Sequence, residues 1–351
     1  MSRVIRRPRT AIAVLGVATI LLAGPAAASA AKASAGELSA LFGLATAPDG
    51  SLLVADAGQG IVAIRGGDRT LLASLPNATD VAAVGVGNVY AITGGGPPGS
   101  GAASLYRISN GQTSLVADLG AFEAAVSPHP AEVDSNPFGL TVLNGGGVLV
   151  ADAGGNSVLY VDNKGRVEWV ATLPTELGST ANIKSLFGCP AGPPDFCNLP
   201  AMIPTEAVAT DVVIGPDGAA YVSELKGFPA PAGESRVWRI ARGTIHAECG
   251  TSDACQVIAD GFTSIVDLNF GPDGTLYVTE LDEASWASVE ILQDVTGGTV
   301  NACAWGDFPL DCDVVAAGLP MPMSTTVGGD GNLYATIWSL VPGLADVVAV
   351  P

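Results

Sequence analysis

The chain has 351 residues, with 15 Lys+Arg against 34 Asp+Glu and a formal net charge of −19. Such a surface repels phosphate backbones, which excludes nucleic acid as a partner. With 48% hydrophobic residues, only 14% charged, and 45 Gly plus 24 Pro, the composition argues against disorder, coiled coil and helix bundle, and toward many short elements joined by tight turns.

At the N-terminus, Arg3, Arg6, Arg7 and Arg9 precede an apolar run from Ala11 to Ala23, then Gly24-Pro25 and small residues ending at Ala28-Ser29-Ala30. This order predicts a signal peptide over residues 1–30, cleaved near Ala30. The run falls short of the ~20 residues needed to span a bilayer. No later segment reaches that length without a charge, Gly or Pro. The protein is therefore expected to be secreted or periplasmic, without a membrane anchor, leaving 31–351 as a single domain.

From there a turn recurs six times, at Asp49-Gly50, Gly87-Asn88, Gly145-Gly146, Asp217-Gly218, Asp273-Gly274 and Asp330-Gly331. Each is followed by a short aliphatic strand, such as LLVADAG from Leu52, VLVADAG from Val148 and LYVTELD from Leu276. A third strand follows, read as IVAIR from Ile61, SLYRI from Ser104, SVLYVD from Ser157, RVWRI from Arg236, SVEIL from Ser288 and DVVAV from Asp346. In five units a fourth comes after it, for example TLLASL and QVIADGF. Four short strands per repeat, without clean polar alternation, predict an all-β, six-bladed β-propeller of four-stranded antiparallel blades buried on both faces. The last unit ends after its third strand, so the segment Glu37 to Phe42 is predicted to supply the missing strand and close the ring.

Six cysteines fall in three close pairs, Cys189/Cys197, Cys249/Cys255 and Cys303/Cys312. In an exported chain they predict three local disulfides in that pairing, because short loops close at the smallest entropic cost. No CxxC or nearby His offers zinc-ligand spacing. The bridges are expected to pin insertions and not to build the core.

The turns, together with VADAGGNSVLYVD from Val150, SELKGFPAPAGESRVWRI from Ser223 and GFTSIVDLNFGPDGTLYVTEL from Gly261, resemble the secreted ScyD/ScyE proteins, relatives of NHL-repeat propellers. The resemblance covers nearly all of the mature chain. It implies an exported bacterial six-bladed propeller, linked in some relatives to gene clusters for an indole-derived sunscreen pigment. It brings no established catalytic residue.

Seven residues before the six turn glycines stand Gly43, Asp80, Gly139, Asp211, Asp267 and Ser324, at the expected start of each innermost strand. Asp80, Asp211 and Asp267 would face one axis, where a Ca²⁺ or other divalent cation could take their oxygens. The plainer role, which we prefer, is capping strand amides along a hydrated channel. A second ring falls at Asp56, Thr93, Asp152, Glu224, Glu280 and Ile337, where Asp is read as an acceptor for turn amides. Glu224 and Glu280 precede insertions carrying Phe228 and Trp286, a candidate pocket of carboxylates under an apolar lip. His129 and His246 lie in insertions, the former near Glu132 and Asp134 as a candidate surface metal site, for which a solvated loop is the simpler reading. No G-x-S-x-G elbow, H-E-x-x-H or P-loop occurs.

Two functions remain. The first is a non-catalytic, monomeric extracellular scaffold or binding module for a small molecule, glycan or protein. The alternative is a metal-dependent propeller hydrolase or lyase of the lactonase or strictosidine synthase kind. There Asp80, Asp211 and Asp267 would hold the metal and Glu224 or Glu280 would act as base. The lack of a matching His or basic group weighs for the first.

Overall fold

The repeats turn on a carboxylate. Asp49, Asp217, Asp273 and Asp330 each accept the main-chain N–H two residues on, at 3.0–3.1 Å. The glycine after each has φ between +76° and +88°, a conformation in which a side chain is strained. Every such turn joins an innermost strand to the second strand of its blade, as the repeat pattern predicted.

A computed structural model describes residues 35–97, 99–129 and 133–350. The expected signal peptide and its cleavage point near Ala30 lie outside the described residues. Blade 1 comprises β1 (Leu41–Thr46), β2 (Leu52–Asp56), β3 (Gly60–Arg65) and β4 (Asp68–Ser74), and blade 2 comprises β5 (Ala78–Gly85), β6 (Asn88–Thr93), β7 (Ser104–Ser109) and β8 (Gln112–Asp118). Helix α1 (Leu119–Val126) leads to blade 3, built of β9 (Pro137–Val142), β10 (Val148–Asp152), β11 (Ser157–Val161) and β12 (Val167–Thr172). A hairpin of β13 (Glu176–Ser179) and β14 (Met202–Thr205) follows, enclosing α2 (Ala181–Leu186) and α3 (Pro194–Cys197). Blade 4 contains β15 (Ala209–Ile214), β16 (Ala220–Glu224), β17 (Ser235–Ile240) and β19 (Cys255–Phe262), with β18 (Ala247–Glu248) lying before its last strand. Blade 5 has β20 (Ile265–Phe270), β21 (Leu276–Glu280), β22 (Gly298–Cys303) and β23 (Cys312–Leu319); blade 6 has β24 (Thr325–Val327), β25 (Leu333–Ile337) and β26 (Asp346–Ala349).

Innermost strands β1, β5, β9, β15, β20 and β24 touch in succession, and β24 returns to β1, so the six antiparallel sheets form a closed ring. Apolar clusters lie between successive blades: Leu53, Ala55 and Val81 between blades 1 and 2, and Ala151, Val212 and Trp238 between blades 3 and 4. This explains why β2, β10 and β16 are buried at every residue, on both faces.

Three features depart from the expected repeat. The SVEIL segment from Ser288 is a π-helical turn and not the third strand of blade 5, which forms at Gly298–Cys303. Asp282 ties the two ends of this insertion, accepting N–H groups from Ala284, Thr296 and Gly297 at 2.8–2.9 Å, so pairing with β21 begins only at Thr299. Blade 6 has three strands among the described residues, and the predicted closing strand from Glu37 to Phe42 is not formed: residues 35–40 are irregular. Their backbone nevertheless meets blade 6 between β25 and β26, Leu38 O accepting Gly343 N–H at 3.1 Å and Leu41 N–H donating to Ser339 O at 2.8 Å, while Ala35 N–H meets Arg69 O of blade 1 at 3.2 Å. The segment still closes the ring, through those two main-chain bonds to blade 6 and through packing of Leu38, Leu41 and Ala345. Finally, β18 leaves blade 4 and pairs parallel with β12, giving blade 3 a fifth strand.

All three disulfides form as predicted, Cys189–Cys197, Cys249–Cys255 and Cys303–Cys312. The first pins α2 to α3. Cys249 and Cys303, by contrast, are buried members of inter-blade clusters, so two bridges also help to build the core.

Candidate functional site

The ends of the second strands lie opposite the beginnings of the first, since Asp56 pairs with Leu41 and with Gly60. The innermost-strand starts therefore share one face of the ring with the insertions that follow β8, β12, β16 and β21, while the Asp-Gly turns and the insertion after β17 occupy the other face.

On the axis, the ring of first-strand positions is a chain of hydrogen bonds between blades. Asp80 accepts Val81 N–H of its own strand and Leu140 N–H of blade 3, both at 2.7 Å. Asp211 accepts Val212 N–H at 2.7 Å and Leu268 N–H of blade 5 at 2.9 Å. Asp267 accepts the Ser324 hydroxyl at 2.6 Å and Thr325 N–H of blade 6 at 2.9 Å. Ser324 Oγ in turn accepts Leu44 N–H of blade 1 at 3.0 Å. Glycine occupies the two remaining positions because the next carboxylate needs the space: a Cβ on Gly43 would lie 1.7 Å from Asp80 Oδ1, and one on Gly139 would lie 2.2 Å from Asp211 Oδ1.

All three axial carboxyls are buried, and burial pushes their pKa values up, Asp211 to about 7 and Asp80 and Asp267 well above the ordinary value. For Asp80 and Asp267 the nearby Asp211 charge adds to this. Phe42 and Phe138 meet edge to face across the axis at 5.7 Å. The remaining space between Phe42, Phe138, Met323 and the aspartates is a cavity of about 10 Å³, the room of roughly one water. Among the described residues, no three or more His, Cys, Asp or Glu side chains are gathered as metal ligands would be.

The second ring does structural work at three positions. Asp56 accepts Ser39 N–H at 2.9 Å, Asp152 accepts Asn136 N–H at 2.7 Å, and Glu280 accepts Thr263 N–H, each tying down the segment that leads into its own blade. Glu280 also takes Thr299 Oγ1–H and an Asn301 amide N–H, both at 2.7 Å. Glu224 departs from this scheme. Fully buried, it pairs with Lys226 and Arg236 and accepts the Trp238 indole N–H, while Lys226 and Arg236 both reach Glu176 at 2.7 Å. Burial raises the Glu224 pKa against the pull of these two cations. Two acids and two bases thus neutralise one another.

The two insertions after Glu224 and Glu280 are brought together, but onto each other. Trp286, 3% exposed, donates its indole N–H to Lys226 O at 3.0 Å, and Asn182 of α2 bridges Ala230 O and Ala284 O. Phe228 is half-buried against Phe196, which stacks on Phe187. His129, expected in a solvated loop, is buried at 8% exposure, and burial lowers its pKa. His246 stacks on Trp169 at 4.6 Å and binds Glu168 at 2.7 Å.

That histidine marks a site that residue-type reasoning did not find. The segment 241–248 crosses from blade 4 to blade 3, held by β18 pairing, the His246 contacts and the Cys249–Cys255 bridge. Beneath it, between the blades on the Asp-Gly face, lies a cleft of about 440 Å³, within the range of small-molecule sites. Leu149, Val170, Ile214 and Ile240 line it, with Glu168 and Arg242 among its polar residues. The His246 hydrogen bond lowers the Glu168 pKa. Arg242 is exposed and has no ion-pair partner among the described residues. The sequence signal was the long ARGTIHAEC insertion, but which blade it would lean on is not written in its residues.

No family model matches the chain, and no curated protein matches it in sequence. Its fold is similar to solved propellers at low identity. Virginiamycin B lyase from Staphylococcus aureus is 14% identical with a TM-score of 0.51, the match covering 88% of this chain and 84% of that one. A putative glucose dehydrogenase from Thermus thermophilus is 16% identical with a TM-score of 0.52, over 91% and 98%. A protein of unknown function from Bacteroides thetaiotaomicron is 11% identical with a TM-score of 0.58, over 91% and 71%. These likenesses show the propeller scaffold alone.

Proposed function

We propose that this is an exported, non-catalytic binding propeller that holds an apolar small molecule with one anionic group in the cleft between blades 3 and 4. The carrying observation is the contrast in space, about 440 Å³ in that cleft against about 10 Å³ on the axis. Apolar walls supply the driving force, and Arg242 supplies an uncommitted cation at the polar edge. Export is supported by the charged and apolar N-terminal pattern and by three disulfides. Among the described residues no helix is long and apolar enough to cross a membrane. Membership of the ScyD/ScyE family is part of this reading, on the motifs quoted above.

The probe that matches this chemistry is 1-anilinonaphthalene-8-sulfonate, an aromatic body with one sulfonate. We expect saturable binding of one probe per chain, weakened about tenfold by Arg242→Glu, as befits loss of one charge-assisted contact, and weakened also by Ile245→Asp at an exposed position of the roof. Absence of saturable binding, or wild-type affinity retained in both variants, would overturn the proposal.

One feature favours the hydrolase alternative: the axial carboxyls are close enough that, after burial, the Asp211 charge further raises the pKa values of Asp80 and Asp267. Against it, Asp80, Asp211 and Asp267 each already accept two or more hydrogen bonds. Divalent-cation-dependent lactone or ester hydrolysis, lost in Asp267→Asn, would establish the alternative.

A further inference from the structure

The connection from blade 2 to blade 3 contains a carboxylate that the fold leaves unanswered. Helix α1 starts under an Asp118 cap, which accepts Ala121 N–H at 2.8 Å, and it turns Leu119, Gly120 and Glu123 inward. Leu119 joins the core between blades 2 and 3. Glu123 follows one helical turn later and is carried inside with it, at 1% exposure, where neither of its oxygens meets a donor.

A second orphan lies beside it. Ser157, at the start of β11, is fully buried and its hydroxyl also has no partner. Gly155 shows how these atoms converge. A methyl group placed there would stand 3.2 Å from Glu123 Oε2, 3.2 Å from Ser157 Oγ and 3.5 Å from Asp134 O. Three oxygens of three kinds thus approach one point beside Gly155, where a side chain would crowd them. The equivalent turn of blade 1 is filled differently: Gln59 sends its amide to Asp56 Oδ2 at 2.9 Å and to Glu37 O at 2.8 Å. Blade 3 has glycine and no such donor.

The electrostatics point the same way. Burial, then the charges of Asp152 and Asp134, push the Glu123 carboxyl up to about 8. Asp152 is itself anchored by Ser135, Asn136 and Gly155. An uncompensated carboxylate in such a place is costly unless it coordinates a cation or takes a proton.

We propose that Glu123, the Ser157 hydroxyl and the Asp134 main-chain carbonyl form a binding site for a hard divalent cation, Ca²⁺ by its preference for mixed carboxylate, hydroxyl and carbonyl oxygens. Water completes its larger shell. The site lies outside the axial ring and the cleft and depends on neither. Its role is structural: it locks α1 to the turn between β10 and β11.

The test is thermal unfolding of the secreted, oxidised protein in EDTA and in excess CaCl₂, with equilibrium dialysis against radiolabelled Ca²⁺. We expect a Ca²⁺-dependent rise in Tm of at least about 3 °C and one ion bound per chain. Both should be lost in Glu123→Gln and Ser157→Ala and kept in Asp267→Asn. Because the readout is the difference between EDTA and Ca²⁺, a change in basal stability of any variant does not obscure it. No Ca²⁺-dependent rise in the wild type would overturn the proposal and leave Glu123 as a buried protonated acid. A rise retained in both site variants, or lost in Asp267→Asn instead, would overturn it equally.

Discussion

Each axial aspartate works as a wedge between blades, and for Asp80 and Asp211 the glycine before it in the ring is its counterpart. Gly43→Ala would drive a methyl group into Asp80, and overpacking of this kind costs about 1–3 kcal/mol. Urea unfolding should show that loss in full, and a smaller one when Asp80→Gly is already present, since the two changes share a contact. The same carboxyls make stability depend on pH. Their folded pKa values lie above the unfolded value of 3.8, with Asp211 at about 7. Above pH ~4 the folded state therefore binds more protons than the unfolded state, and stability is fully present below that and falls as pH rises through about 7. Exposed turn aspartates such as Asp49 and Asp273, with lowered values, act only below that window. Tm should be higher at about pH 5 than at about pH 8, and Asp267→Asn should flatten the difference; a flat wild-type profile would refute the argument.

At the scale of elements, β18 is two residues long yet decides whether the cleft has a roof. Its hold rests on pairing with β12, on the His246–Trp169 stack and on the Cys249–Cys255 loop. Replacing both cysteines by serine should cost about 2–3 kcal/mol by the loop-entropy argument. It should also weaken sulfonate-probe binding while far-UV circular dichroism stays that of the wild type. Unchanged probe affinity would mean that the roof is held without the bridge. The cysteine pairing was legible in the sequence because it is local, whereas the crossing of 241–248 to the neighbouring blade was not: Ala171 and Ala247 meet only when both blades are in place.

For the whole molecule, the decisive feature is how the ring closes. Without a regular closing strand in the described residues, the seam depends on two main-chain bonds, Leu38 O to Gly343 N–H and Leu41 N–H to Ser339 O, and on packing of Leu38, Leu41 and Ala345, with Leu38 at 1% exposure. Across the same seam Arg69 meets Asp346 at 2.7 Å, both side chains partly exposed. Leu38→Ala should therefore lower unfolding free energy by about 2–4 kcal/mol, and Arg69→Ala by less than about 1 kcal/mol. Equal losses in urea titrations would show that closure is electrostatic after all.

The sequence by itself determined what depends on a few neighbouring residues: the Asp-Gly turn, the aliphatic strand after it, six repetitions of that unit, and three cysteine pairs. Those signals are local, so each survives insertions elsewhere, and together they specify a six-bladed propeller. The π-helical turn at Ser288–Leu292 reads as a strand in the sequence because its apolar pattern is short, and only Asp282 joining the ends of the insertion decides its shape. Tertiary structure alone decided which polar groups are engaged. Asp80 finds its amide on Leu140, 60 residues away, and Glu224 one of its two cations, Arg236, across an insertion, whereas Glu123 finds no donor at all. Whether a carboxylate is a structural tie, a neutralised ion or an open ligand is set by what the adjacent blade places within about 3 Å of it, and that neighbour is chosen by the closing of the ring.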